Sequence, residues 1–142
     1  MSTSPLFAAN PRQQGLAIAL LRIVTGIVFL AHGYQKLFSM GISGVQGGFT
    51  QMGVPMPTIS AVLVTFLEFF GGIGLVIGLL TRLIALGLVV DMLGAIAFVH
   101  FANGFFLPKG YEFVLMLMVA SLVLVVGGPG RLSVDNMIAN RQ

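Results

Sequence analysis

Apolar residues fill four stretches of this chain almost without interruption, at about residues 16–38, 57–80, 82–102 and 111–126. A helix that spans the hydrocarbon core of a bilayer needs about 20 such residues. The segments between them carry the punctuation. Residues 39–57 are rich in Gly, Ser, Gln and Pro and hold no charge. They predict a loop, with a short interfacial helix around Val45 to Met52. Leu80-Thr81-Arg82 is the whole link between the second and third stretches, so those two form an antiparallel hairpin. Residues 103–110 read as an interfacial turn, and Gly127-Gly128-Pro129-Gly130 stops the last helix. The pattern predicts an all-α fold, an integral membrane four-helix bundle, with residues 1–142 as a single unit.

Composition removes the soluble alternative. Hydrophobic residues make up 57% of the chain and charged residues 8%, and mean hydropathy is +1.04. Soluble domains carry about 25% charged residues. The first stretch is too long for a signal-peptide core and no small-residue cleavage site follows it, so it stays a transmembrane helix. Cysteine is absent, which excludes disulfides, thiol redox chemistry and iron–sulfur ligation by this chain alone. The net charge of +3 has no basic cluster behind it, so no nucleic-acid partner is expected. Arg12, Arg82, Arg131 and Arg141 lie on the side of the termini, and Lys36 and Lys109 on the other. The excess places both termini in the cytoplasm.

Ionisable groups inside a membrane cost at least about 2.5–3.5 kcal/mol each at the helix centre. Here they are Arg22, Lys36, Glu68, Asp91 and Glu112, with His32 and His100 beside them. Arg22, Thr25, Phe29, His32 and Lys36 follow spacings of 3, 4, 3 and 4, one face of a helix. Gly26 and Gly33 beside that stripe permit close approach of a second helix, as do Gly74 and Gly78 further on. Asp91 and His100 are nine residues apart, on roughly opposite faces. Counted at 1.5 Å per residue, Arg22 sits roughly 9 Å in, and Glu68 and Asp91 roughly 14–18 Å in. The count predicts two layers: Arg22 with Glu68 or Asp91 in the middle, and Lys36 with Glu112 toward the outside. Such pairs act either as polar glue between helices or as a working site. No metal site is expected. Two isolated histidines without a CxxCH motif argue against haem, and Phe98, Phe101, Phe105 and Phe106 near His100 either line an apolar slot for a ring compound or sit at the interface.

The stretch Arg22-Ile-Val-Thr-Gly26-Ile-Val-Phe29-Leu-Ala-His32-Gly33-Tyr-Gln-Lys36-Leu-Phe38 resembles the opening helix of the DoxX family. So do Glu68-Phe-Phe-Gly71-Gly72, Gly78-Leu-Leu-Thr81-Arg82, Asn103-Gly104-Phe105-Phe106, Tyr111-Glu112 and Gly128-Pro129-Gly130-Arg131. The resemblance implies a four-helix bundle in a bacterial cytoplasmic (inner) membrane, crossing it several times. It also implies links to quinone-coupled oxidation, including a subunit of thiosulfate:quinone oxidoreductase, to oxidative-stress responses, and to complexes with superoxide dismutase. The family's recurring Arg, Lys and two Glu map onto Arg22, Lys36, Glu68 and Glu112, while Asp91 has no clear counterpart.

The reading placed first is a quinone- or quinol-interacting oxidoreductase component. His32 or Lys36 donates to a quinone carbonyl, and Glu68 or Glu112 accepts a proton from the quinol. Phe29, His100, Phe105 and Tyr111 line the ligand, and Arg22, Asp91 and Glu68 form structural ion pairs. Electrons then come from a redox partner protein or a bound cofactor. The alternatives are a non-catalytic scaffold or assembly subunit, and a small-molecule or proton transporter, the latter as a homodimer.

Overall fold

A computed structural model describes residue 8 and residues 10–141. The first helix, α1 (Pro11–Tyr34), starts earlier than the apolar pattern does. Asn10 explains this: its side chain accepts from the Arg12 amide at 2.9 Å, and Pro11 fits the first helical position. A π-helical stretch, Gln35–Met40, continues α1 to Gly41, which turns the chain with φ +72°. Helix α2 (Gly41–Gln51) follows, where a short helix is expected. Helix α3 (Pro57–Ile77) ends at Gly78, whose left-handed conformation returns the Leu79 amide to the Gly74 carbonyl at 2.8 Å.

Helix α4 (Thr81–Ala95) begins three residues after Gly78. It runs into a second π-helical stretch, Ile96–His100, and a 3-10 turn, Phe101–Asn103. Helix α5 (Glu112–Gly127) is followed by the short α6 (Val134–Ala139), capped by Ser133. Three apolar segments are long enough to cross a membrane: Pro11–Gln51, Pro57–Ile77 and Thr81–Asn103. Helix α5 is equally apolar but has 16 residues.

The protein is all-helical among its described residues, with α1, α3, α4 and α5 packed as a bundle in an integral membrane protein. Helix α1 lies along α3, α3 along α4, and α4 along α5, which closes back on α1. Phe29, Leu75, Ala85, Leu88, Met92, Val114 and Leu124 form the core that all four share. Outward positions stay apolar: Leu20, Leu83, Met116 and Val126 are each more than 60% exposed. Such a surface is matched to lipid.

Glycine sets the α1–α3 contact. A Cβ on Gly33 would run into the backbone of Phe69, and one on Gly72 into the backbone of Leu30. Gly26 faces the Gly72 carbonyl in the same seam. The backbones touch there, as small residues allow. Of the second pair expected to pack, Gly74 meets the Ile84 side chain on α4, and Gly78 accommodates the Arg22 guanidinium.

The start of α1 and the segment after α5 meet at one end of the bundle. The Arg131 amide donates to the Gly15 carbonyl at 3.0 Å. We call this the termini end. The opposite, far end holds Met40, Met56 and the turn from Phe101 to Tyr111.

Candidate functional site

The antiparallel register of α1 and α3 decides which charges meet. Gly26 lies beside Gly72, and Gly33 beside Glu68 and Phe69. Lys36, one helical turn further on, therefore reaches Glu68. Its Nζ donates to Glu68 Oε2 at 2.6 Å. The Glu68 side chain is only 5% exposed, and Lys36 19%. Asp91 of α4 stands close enough to feel both charges, and its Oδ2 is buried without a hydrogen-bond partner. Glu68 alone bonds the ammonium, and Asp91 adds a second carboxyl group beside the pair.

This group opens onto a cavity of about 830 Å³ between α2, α3 and α4. Lys36, Glu68, Asp91 and His100 supply its ionisable groups. The rest of the wall is largely apolar and includes Val45, Phe49, Met52, Met56, Leu63, Leu67 and Phe98. A volume near the upper end of about 300–1,000 Å³, with few convergent polar groups, suits a ligand of drug or cofactor size. Gly94 faces it as well, and a Cβ there would touch nothing within 4 Å. A second cavity, about 290 Å³, lies on the other side between α1, α4, α5 and the Leu107–Gly110 turn. Lys36, Glu68, Met92, Ala95 and His100 border both.

Comparison with known proteins places this arrangement. The DoxX family model matches residues 17–101, which carry Lys36, Glu68 and Asp91. An uncharacterized membrane protein of Mycobacterium tuberculosis is 31% identical over 136 residues, covering 88% of this chain and 83% of its own.

The chain belongs to the DoxX family.

A provisionally named oxidoreductase of Bacillus subtilis, CatD, is 30% identical over 119 residues, covering 84% of each chain. The inner membrane protein YphA of Escherichia coli is 28% identical over 137 residues, covering 90% of this chain and 91% of its own. No solved structure matches.

In this DoxX protein the two expected charge layers are rearranged. Arg22 does not pair with Glu68 or Asp91. It lies beside Gly78 near the termini end, and its Nη2 donates to the carbonyls of Leu132 at 2.9 Å and Arg131 at 3.5 Å. Counting depth from assumed helix ends misplaced it, because α1 begins at Pro11 and its register on α3 brings Arg22 level with the end of that helix. Lys36 takes Glu68 in place of Glu112.

Glu112 borders neither cavity. Its Oε1 accepts from the Leu107 amide at 2.8 Å, so it shapes the far-end turn. Phe105 and Tyr111 also stand apart: Tyr111 packs on Phe101 and Phe105, with ring centroids 5.8 and 5.4 Å away. Phe29 is buried in the core and borders the smaller cavity. His32 borders that cavity too, but its ring is exposed and folds back so that Nδ1 meets the Val28 carbonyl at 2.9 Å. Gly33, not His32, occupies the buried face next to Phe29.

His100 and Asp91 border one cavity although their spacing puts them on opposite faces of a regular α-helix. The π-helical stretch Ile96–His100 turns less per residue, which swings His100 back toward Asp91. Lys36 lies in the other π-helical stretch. Sequence reasoning missed the contribution of α2 and of the loop that precedes α3. Met40, Met52 and Met56 carried the signal, since unbranched thioethers suit an adaptable cavity rim.

It also missed a lock at the termini end. Asp135 accepts from the amides of Leu80 at 2.8 Å and Thr81 at 2.9 Å, capping α4 from a remote segment. The sequence sign was Ser133, whose hydroxyl caps α6 through the Asn136 amide at 3.2 Å.

Proposed function

We propose that this DoxX protein binds a quinone or quinol in the 830 Å³ cavity and serves a membrane oxidoreductase as a proton-handling component. The observation that carries the reading is the Lys36–Glu68 pair, with Asp91 beside it, at the wall of an otherwise apolar chamber. A quinone demands this combination: an apolar slot for ring and tail, a donor for a carbonyl, and a base for the quinol hydroxyl. Lys36 donates to the carbonyl oxygen. Glu68 and Asp91 take the proton. His100 closes the far end of the chamber, and the provisional oxidoreductase name of the Bacillus relative points the same way. Electrons pass to or from a separate redox protein.

In this reading the chain is one domain in a bacterial inner membrane, with both termini in the cytoplasm. The arginine excess at the termini end supports that orientation, and the inner-membrane name of the Escherichia coli relative supports the location.

The test is a binding titration of short-chain ubiquinone and menaquinone analogues against protein in nanodiscs. Saturable binding that disappears in Gly94→Phe supports the proposal, because Gly94 lines the cavity and a Cβ there meets nothing within 4 Å. Absence of saturable binding in the parent protein overturns it.

A further inference from the structure

The quinone reading uses one cavity and leaves the second without a role. That second cavity is built from other elements: α1, α5 and the Leu107–Gly110 turn. The Lys36–Glu68 pair and His100 form the partition between the two chambers. We propose that the smaller cavity is a proton passage, with Glu68 and His100 as its relay and the Leu107–Gly110 turn as its exit. The proposal rests on the quinone reading only for the source of the protons.

Three observations carry it. First, Glu68 borders both chambers, so its carboxylate can receive a proton on one side and release it on the other. Second, the cavity of about 290 Å³ has room for several waters at about 30 Å³ each. Water takes a proton from the carboxyl oxygen and delivers it onward as a hydrogen-bonded chain. Third, the histidines are chemically prepared. His100 Nδ1 lies 2.9 Å from the Lys109 carbonyl, and His32 Nδ1 lies 2.9 Å from the Val28 carbonyl. A carbonyl can only accept, so each neutral ring carries its hydrogen on Nδ1 and keeps Nε2 as a bare acceptor. His100 receives a proton at Nε2 from one water of the chain and gives it up from the same nitrogen to the next, while its Nδ1–H stays on the Lys109 carbonyl.

Lys36 borders both chambers beside Glu68, and Asp91 borders only the larger one. Glu112 is held on the Leu107 amide and does not compete for the proton within the passage. The partition keeps the ligand's apolar chamber separate from the wet one, which confines protons to one route.

The test separates passage from ligand. Infrared spectroscopy in D2O, with pH lowered until a carboxyl band appears that Glu68→Gln removes, follows hydrogen–deuterium exchange of that carboxyl in nanodiscs. Leu117→Phe fills the smaller cavity and leaves the larger one open. His100→Gln removes the relay imidazole and serves if Leu117→Phe does not fold. Each should slow exchange about tenfold or more, while Gly94→Phe, in the larger cavity alone, should leave it unchanged. Parent-like exchange in both Leu117→Phe and His100→Gln overturns the passage, as does slowing in Gly94→Phe. The expected pattern in a parent protein that binds no quinone supports the passage and overturns only the ligand assignment.

Discussion

Replacing Lys36 with methionine removes the only cation bonded to Glu68 among the described residues and leaves the aliphatic packing nearly intact. The Glu68 side chain is 5% exposed and Asp91 adjoins it, so the Glu68 carboxylate loses its bonded counter-charge in a buried setting. Breaking a buried pair from one side costs about 3–5 kcal/mol. That cost comes from leaving the Glu68 carboxylate without its bonded cation, so removing the carboxylate as well should return most of it.

The expected result is a loss of about 3–5 kcal/mol. Adding Glu68→Gln to Lys36→Met should recover most of it at pH 7. Unfolding by SDS in mixed micelles, followed by circular dichroism because the chain has no tryptophan, measures each term of this double-mutant cycle. A loss below about 1 kcal/mol, with no recovery in the double variant, would show a pair solvated like a surface salt bridge and would contradict a buried one.

Glycine substitutions should divide sharply by position. Gly33→Leu and Gly72→Leu drive a side chain into the opposing backbone and should abolish folded protein on gel filtration. Gly94→Ala should instead stabilise by up to about 1 kcal/mol through helix propensity, read as a higher melting temperature. Arg22→Met should free the segment around Arg131 and Leu132, seen as faster amide exchange there, while quinone-analogue binding at the distant Lys36–Glu68 pair persists. Asp135→Ala removes the acceptor for the Leu80 and Thr81 amides and should cost about 1 kcal/mol, measured by the same micelle unfolding.

The helices were legible because hydrophobic length alone separates membrane spans from loops, and Gly78 and Gly128 stop α3 and α5 where their left-handed φ requires. The identity of the inward charges was legible too. Their partners were not. Pairing Lys36 with Glu68 depends on the register that Gly26, Gly33 and Gly72 impose, and an error of one turn in α1 moves every partner. Sharing of one cavity by Asp91 and His100 depends on a π-helical stretch that a fixed 100° rotation hides. The capping of α4 by Asp135 joins residues 54 or more apart, and no local pattern announces such a contact.

A lipid-soluble ring compound held in the chamber beside Lys36, Glu68 and Asp91 should leave the membrane together with the protein. Native mass spectrometry of protein released from its own membranes tests this without choosing a ligand. An adduct of quinone mass is expected on the parent protein and none on Gly94→Phe. A bare parent protein, or the same adduct on both, would contradict quinone binding in this chamber.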